Sequence, residues 1–211
     1  MSITEITSPI NGAIYERFGY QVARARAATQ ALSGTYVFAG PRYSGKAEAA
    51  DWLAAALLCV DTEGANPCYN CANCHQAASG NHPDLLYLEK LEDKRNISIE
   101  QVREFISRLT RGAFIGRQQV AIIRGAEFLN DEGANSLLKT LEEPTRGTVI
   151  ILLTEEPDRL LATIMSRSQQ FFFRPASKQA IATQLEKTTG LKPREAAAMA
   201  KLSLGRWRLA K

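Results

Sequence analysis

Five short apolar segments alternate with helical patterns over the first 175 residues, and this alternation constrains the fold more than any other feature. Each segment is almost continuously apolar, which is typical of strands in a parallel sheet that is buried on both faces. Strands that alternate with helices predict an α/β fold with a doubly wound, five-stranded parallel sheet. The five segments are TYVFAG (35–40), PDLLYLE (83–89), QQVAIIRG (118–125), TVIILLT (148–154) and QQFFFRP (169–175).

Helix signals lie between these segments. Ser98 and Gln101 form a capping-box pattern at the start of one helix, and Pro144 stops another. A third helix, 46–59, is rich in Ala and Leu and begins directly after a glycine-rich loop. The helix that follows Ser98 has an apolar face made of Val102, Phe105, Ile106 and Leu109.

The pattern changes beyond the fifth segment. One helix is predicted to end at Gly190 and a second to begin at Pro193, and no strand segment follows them. We therefore place a domain boundary near 174–177. The predicted organisation is an α/β domain over 1–175 and a small helical lid domain over 176–211.

Residues 40–47, GPRYSGKA, nearly match the phosphate-binding pattern G-x-x-x-x-G-K-[ST]. Gly40, Gly45 and Lys46 lie between a strand and a helix, where such loops wrap phosphates with their backbone N–H groups. Ala47 stands where a hydroxyl group would bind magnesium. Two interpretations remain open: a nucleotide-binding loop, or a strand-to-helix turn kept for its shape.

ATP hydrolysis on such a loop also needs an acidic residue at the end of a later strand, which helps to hold magnesium. The sequence has Arg124 and Gly125 at that position, and the arginine would compete with the metal for the same phosphates. Glu127 follows two to three residues too late and is expected on the outside of the next turn. Intrinsic hydrolysis is therefore not expected.

All four cysteines of the chain fall within sixteen residues, in the spacing C-x8-C-x2-C-x2-C. Close cysteines in a cytosolic chain are more often metal ligands than disulfides, and the segment NPCYNCANC has the composition of a loop. Four thiolates would give a closed, tetrahedral zinc site that is structural and not catalytic. The alternative is a set of ordinary buried cysteines. The predicted ligands are Cys59, Cys68, Cys71 and Cys74, in a module over about 59–83.

Composition limits the compartment and the partners. The 211 residues are 45% apolar and 23% charged, which is ordinary for a soluble protein. The sequence has neither an apolar run long enough to span a membrane nor a signal-peptide pattern at its start, so a cytoplasmic location and no membrane partner are expected. The net charge of +4 is compatible with a basic face but does not by itself indicate nucleic-acid binding.

Together these features resemble one family. The loop, the four-cysteine insertion between the first two strands, and the stretches NHPDLLYLE, ISIEQVREFI and LLKTLEEPTRGTVIILLTEEPDRLLATIMSRS are similar to the clamp-loader subunits of bacterial DNA polymerase III, within the AAA+ ATPase class. The similarity is strong over about 35–174. Two subunit types of this family carry the cysteine module: the gamma/tau-type motor keeps both magnesium supports, and the other type keeps the fold but does not hydrolyse ATP. Ala47, Arg124 and Gly125 place this chain with the non-hydrolysing type.

The resemblance implies roles for further residues. In this family a Ser-Arg-Cys motif carries an arginine finger that completes the ATP site of a neighbouring subunit. The motif here is Ser166-Arg167-Ser168, so Arg167 is the expected finger. Thr154 matches the sensor position at the end of the fourth strand, and Arg208 matches the sensor arginine of the lid.

The resemblance also implies partners and cofactors. The expected partners are gamma/tau-type and delta-type subunits in a heteropentamer of the polymerase III holoenzyme, and through that complex the sliding clamp and primer–template DNA. The expected cofactors are structural zinc and a weakly bound, unhydrolysed ATP or ADP. Members of the family continue with a helical collar domain, which is expected to be absent from this chain.

Two other functions compete with this hypothesis. An ATP-hydrolysing gamma/tau-type motor would need an acidic residue at the position of Arg124. A zinc-bearing DNA-binding module would need basic residues near the cysteines to contact phosphates, but 59–83 contains no Lys or Arg.

Overall fold

A five-stranded parallel sheet forms the centre of the protein, which the computed structural model describes over residues 11–61, 63–175 and 177–202. The strands lie in the order β2-β3-β4-β1-β5, and every neighbouring pair is parallel. The five strands predicted from sequence are confirmed. They are β1 Gly34–Ala39, β2 Leu85–Glu89, β3 Gln119–Arg124, β4 Thr148–Thr154 and β5 Gln169–Phe172.

Eight α-helices accompany the strands in the described part of the chain. Parallel neighbours require long crossover connections, and the helices between strands provide them. The helices are α1 Gly12–Ala27, α2 Lys46–Leu58, α3 Ala72–Ala78, α4 Ile99–Thr110, α5 Asp131–Glu142, α6 Ala162–Arg167, α7 Lys178–Thr189 and α8 Pro193–Leu202.

Helices cover both faces of the sheet, so the fold is doubly wound as predicted. On one face, α1 and α2 pack against side chains such as Tyr36 and Phe38 of β1. On the other face, α4, α5 and α6 pack against the alternate side chains of the same strands, such as Val37. The residues of β4 are buried throughout, which explains why this strand is a continuous apolar run in the sequence.

The predicted start of α4 is confirmed in detail. The Ser98 hydroxyl accepts a hydrogen bond from the Gln101 N–H at 3.3 Å, and the Gln101 side chain accepts one from the Ser98 N–H at 3.1 Å. This reciprocal capping box satisfies two backbone donors that the first turn of a helix leaves without partners. It fixes the point at which the chain turns from the irregular segment after β2 into α4.

Helix α1 was not predicted from the sequence. Its buried residues include Tyr15, Phe18 and Val22, which recur at helical spacing and were an available signal. Phe18 reaches the sheet and packs its ring 4.7 Å from that of Phe171 and 5.4 Å from that of Phe38, centroid to centroid. Arginines and alanines between the large side chains weaken the pattern, and packing against the sheet supplies what the local sequence lacks.

The last two described helices, α7 and α8, share a small apolar cluster of their own. Ile181 and Leu185 of α7 pack against Ala196 and Ala200 of α8. Gly190 ends α7 with a φ of 68°, a left-handed conformation that glycine adopts without steric cost. The predicted division into an α/β domain and a lid domain remains a prediction. None of the helices in the described residues is long and apolar enough to cross a bilayer.

Phe18 offers a direct test of α1. We expect Phe18→Ala to lower the free energy of unfolding by about 3–5 kcal/mol, because it removes a fully buried ring that contacts three other aromatic side chains. Tyr20→Ala on the same helix is the control: Tyr20 is 69% exposed, and its truncation should change stability by no more than about 0.5 kcal/mol. Urea unfolding measures the free energy of unfolding of both variants. A loss for Phe18→Ala as small as that for Tyr20→Ala would show that α1 is not part of the core.

Candidate functional site

The glycine-rich loop lies where the carboxyl end of β1 meets the continuation of β5. A methyl group added at Gly40 would collide with the backbone oxygen of Phe173, so this approach requires glycine. The Gly40 N–H also donates to the Thr154 carbonyl at the end of β4, at 3.1 Å. Gly45, with a φ of 94°, leads directly into α2. The sequence pattern therefore corresponds to a strand–loop–helix turn whose shape depends on its glycines.

The Lys46 side chain folds back onto this loop. Its ammonium group donates to the carbonyl oxygens of Gly40 at 3.0 Å and Pro41 at 3.1 Å. Burial lowers the pKa of Lys46, and the carboxylates of Glu155 and Glu127 act in the opposite direction. A phosphate at this position would compete with these two carbonyl acceptors for an ammonium group that has three N–H donors.

A cleft of about 650 Å³ opens over the loop at the carboxyl edge of the sheet. The described part of its wall contains both acidic and basic side chains, so it is not a uniformly positive phosphate site. Ala47 lies in this wall and has no hydroxyl group to offer a magnesium ion. The charged residues of the wall are Arg42, Lys46, Glu48, Lys90, Arg124, Glu127, Glu155 and Glu156.

Arg124 ends β3, at the position where hydrolysis needs an acid. Its guanidinium lies 3.4 Å from an oxygen of Asp51 and 3.8 Å from an oxygen of Glu89, and it stacks 4.5 Å above the centroid of the Tyr87 ring. These contacts draw the guanidinium toward α2 and β2. The competition with magnesium expected from the sequence would require Arg124 to leave two carboxylates and a ring.

The expectation that Glu127 lies on the outside of the next turn is wrong. Gly125 adopts a φ of 68° and starts a short 3-10 turn, which carries Glu127 back into the cleft. Glu127 is 7% exposed; one carboxylate oxygen accepts a hydrogen bond from the Glu155 N–H at 3.2 Å, and the other is buried without a partner. The glycine after β3 was the signal in the sequence, because it permits a reversal that other residues resist.

Thr154 ends β4 and is fully buried beside the loop. Its hydroxyl accepts a hydrogen bond from the Glu156 N–H at 3.1 Å, so it shapes the turn that follows the strand as well as lining the cleft. Gly40, Gly45, Lys46 and Thr154 are therefore brought together at one edge of the sheet. Arg208, the expected sensor of the lid, lies outside the described residues.

Arg167 lies at the opposite edge of the sheet. It is the last residue of α6, directly before β5 begins, whereas the loop follows the end of β1; β1 and β5 are parallel. Its Nε donates to a carboxylate oxygen of Glu142 at 3.1 Å, and its side chain is 35% exposed. The protein therefore keeps the guanidinium at the surface and away from its own cleft.

The four cysteines form one cluster between α2 and β2. Their sulfur atoms all lie within 4.8 Å of one another, and none of them forms a disulfide. Cys59 ends α2 and Cys71 caps α3; their sulfurs are 4.0 Å apart. Four sulfurs around zinc at about 2.3 Å would be about 3.8 Å apart, so this donor set fits a tetrahedral metal ion after a small contraction.

Backbone amides already point at the sulfurs. The Cys68 N–H donates to the Cys59 sulfur and the Cys74 N–H to the Cys71 sulfur, each at 3.4 Å. Burial raises the pKa of Cys59. Burial also acts to raise the pKa of Cys71, but hydrogen bonds from the Val60 and Cys74 backbone outweigh it and lower that pKa to about 6. Burial likewise raises the pKa of Cys74. Cys71 is therefore the sulfur that the protein itself favours as a thiolate, and a bound metal ion would stabilise the thiolates of Cys59 and Cys74.

Comparisons with known proteins identify relatives. A family model described as "DNA polymerase III, delta subunit" matches residues 17–177. The DNA polymerase III subunit delta' of Bacillus subtilis is 39% identical over 154 residues, which is 73% of this chain and 46% of the relative. That of Pseudomonas aeruginosa is 36% identical over 162 residues, or 77% of this chain and 47% of the relative. The chain thus spans about half the length of these relatives.

A subunit named tau is also similar. The B. subtilis DNA polymerase III subunit tau is 33% identical over 156 residues, or 74% of this chain and 27% of the relative. Among solved structures, a variant of Thermotoga maritima RuvB superposes with a TM-score of 0.63 at 15% identity, covering 95% of this chain and 59% of the other. A T. maritima protein related to the polymerase III gamma subunit gives 0.52 at 18% identity, with 88% and 58% covered. These likenesses confirm the predicted AAA+ fold.

The cysteine cluster predicts one zinc ion per purified chain. We expect Cys71→Ser to lose the metal and loosen the module, while the sheet stays folded because the cluster lies outside both apolar cores of the sheet. Metal analysis and far-ultraviolet circular dichroism measure the two effects. His75→Gln, on α3 beside the cluster but not part of it, should keep the metal. A zinc-free protein whose four thiols react freely while it is folded would contradict the prediction.

Proposed function

The chain belongs to the family of DNA polymerase III delta' subunits, and from this premise we propose that it is a non-hydrolysing stator of the bacterial clamp loader. In this role it would hold motor subunits in position while the complex loads the sliding clamp onto primed DNA. Its proposed partners are gamma/tau-type and delta-type subunits in a heteropentamer, in the cytoplasm. The clamp and primer–template DNA would be reached through that complex.

The residues around the loop support the absence of hydrolysis. Ala47 provides no hydroxyl ligand for magnesium, and Arg124 replaces the acid of β3 and is bound to Asp51 and Glu89. Glu127 does reach the cleft, but one of its oxygens is held by the Glu155 N–H. ATP or ADP bound here would be held weakly, because its phosphate oxygens would compete with the carbonyls of Gly40 and Pro41 for Lys46.

The position of Arg167 is the observation that carries the proposal. A guanidinium is charged at every physiological pH and can contact a phosphate through two N–H groups. Arg167 lies at the amino edge of the sheet, opposite the chain's own cleft. Its target would therefore be the γ-phosphate of ATP in an adjacent motor subunit, where it acts as an arginine finger in trans.

The four cysteines are proposed to hold structural zinc. They join the end of α2 to α3, and a closed set of four thiolates leaves no open position for a substrate. The module would stabilise a surface of the subunit and take no part in the chemistry of ATP.

The first prediction for this function concerns the isolated chain. We expect no steady-state ATP hydrolysis above background, because both magnesium supports are replaced. A coupled ATPase assay with saturating MgATP measures this, and Lys46→Ala is the control for contaminating activity. Turnover that Lys46→Ala abolishes would restore the hypothesis of a gamma/tau-type motor.

The second prediction concerns the assembled complex. We expect Arg167→Ala to leave folding, zinc content and assembly unchanged and to lower the DNA- and clamp-stimulated ATPase rate. Arginine fingers contribute factors of about 10³–10⁵ at single sites, and a complex with several ATP sites would show a smaller loss. Arg167→Lys should restore only part of the rate, because a lysine cannot make the two parallel contacts of a guanidinium.

Arg159 provides the matched control for Arg167. It is an exposed arginine on the turn before α6 and pairs with Glu156 at 3.6 Å. Arg159→Ala should leave the ATPase rate of the complex unchanged. If Arg167→Ala also matches the wild-type rate in a normally assembled complex, Arg167 is a surface residue and the action in trans is wrong.

A further inference from the structure

A second cavity, of about 480 Å³, lies at the amino edge of the sheet and is separate from the cleft over the loop. It opens between the last turn of α1, the end of α2 and the segments that lead into β2 and β3. Its volume falls within the range of about 300–1,000 Å³ that is typical of small-molecule sites. Apolar side chains form much of its wall: Val22 and Ala25 of α1, Leu57 and Leu58 of α2, Val60 just after α2, and Ala31 before β1.

His82 forms part of this wall and has an unusual environment. It is 3% exposed, and its Nδ1 accepts a hydrogen bond from the Asp84 N–H at 3.1 Å. An Nδ1 that accepts must carry a lone pair, so a neutral ring has its proton on Nε2. Nε2 is buried and has no partner among the described residues. An unpaired buried donor costs about 1–3 kcal/mol. An acceptor that entered from the cavity would gain this hydrogen bond after a small displacement of the side chains that now cover Nε2.

Asp84 does not supply that acceptor. Its carboxylate accepts hydrogen bonds from the N–H groups of Phe114, Ile115 at 3.0 Å and Gly116 at 3.3 Å, and none from His82. These bonds fix the loop before β3, which forms another side of the cavity. Burial lowers the pKa of His82 and the charge of Asp84 acts to raise it, so the ring stays neutral near pH 7 and remains a single donor.

The cavity wall also contains two arginines, and one of them makes few hydrogen bonds. Arg117 is exposed and lines the cavity, and its one hydrogen bond among the described contacts is a long one, 3.4 Å, to the Thr29 carbonyl. Arg26 is more fully engaged, with the Ala56, Gly64 and Asn66 carbonyls. Thr29, also in the wall, adopts a φ of 52°. This conformation belongs to the turn that ends α1, in which the Thr29 N–H donates to the Arg26 carbonyl and the Gln30 N–H to the Ala25 carbonyl.

We propose that this cavity binds a small apolar carboxylate, whose hydrocarbon body contacts the α1 and α2 side chains and whose carboxylate oxygen accepts the Nε2–H of His82. The positive charge of Arg117 favours the anion over a neutral molecule of the same shape. The proposal does not depend on the function of Arg167 or of the glycine-rich loop. It adds a ligand site at the edge of the sheet where the cysteine module joins α2.

Histidine NMR of the full chain tests the proposal, because the chain has only two histidines, His75 and His82. Long-range ¹H–¹⁵N spectra should show His82 as the neutral Nε2–H form. Benzoate, benzamide and toluene serve as probes: an anion with an acceptor, a neutral molecule with an acceptor, and an apolar body alone. We expect benzoate to shift the His82 Nε2 signal saturably and more tightly than benzamide, with toluene weakest and the His75 signal unchanged.

Matched variants locate the site. Ala25→Leu places extra volume into the cavity and should abolish the benzoate shift, whereas Ala27→Leu, on the exposed side of the same helix, should keep it. If Ala25→Leu does not fold, Arg117→Gln gives the same test: it should weaken benzoate by about two- to fivefold, as expected for an exposed charge pair, and leave benzamide unchanged. Absence of any benzoate shift at His82, or equal binding of toluene and benzoate, overturns the proposal.

Discussion

The parallel direction of all five strands is the constraint on which the rest of the structure depends. Each strand must be reached by a crossover, so helices cover both faces and every strand ends at the same edge. That edge collects the loop after β1, Arg124 at the end of β3 and Thr154 at the end of β4. The opposite edge collects the residues before each strand, which include Arg167 before β5 and His82 before β2. A side chain at one edge cannot serve a site at the other, and this separation underlies both proposals.

The cleft contains charged side chains, but their positions differ from those that a magnesium-binding site requires. An acid at the end of β3 would hold a metal ion, but the chain has Arg124 there and supplies acids on neighbouring elements, Asp51 and Glu89, that bind it. The cleft in turn gains Glu127 and Glu155, whose carboxylates interact with Lys46. Positive and negative groups therefore pair in part within the protein, although one Glu127 oxygen and the Arg124 Nε are buried without a hydrogen-bond partner. A polyphosphate would have to disrupt these contacts, which explains how the shape of the loop can persist where strong nucleotide binding is not expected.

The sequence predicted the strands, the α4 capping box and the cysteine cluster because each depends on local spacing or on one residue type. Continuous apolar runs such as 148–154, short and rich in β-branched residues, favour a strand buried on both faces. The side-chain oxygens of Ser98 and Gln101 satisfy neighbouring backbone groups. Helix α1 was missed because its stability comes from aromatic contacts with β1 and β5, which are distant in sequence. Glu127 was misplaced because a single left-handed glycine reverses the chain. The cavity beside His82 was not predictable, since it is formed by five segments that meet only in the folded protein.

The contact between Arg167 and Glu142 bears on how an arginine could act on a neighbour. An exposed ion pair of this kind contributes only about 0–1 kcal/mol, so little free energy opposes its replacement by a phosphate. The same contact, together with the hydrogen bond from Arg167 to the Thr163 carbonyl at 3.2 Å, limits the orientations of a long side chain in the free subunit. Fewer orientations would mean less entropy to lose if the guanidinium bound a phosphate of a neighbouring subunit. A weak intrachain pair at the end of α6 is thus compatible with an arginine that is held ready and released on assembly, whereas a deeply buried pair would have kept it within its own chain.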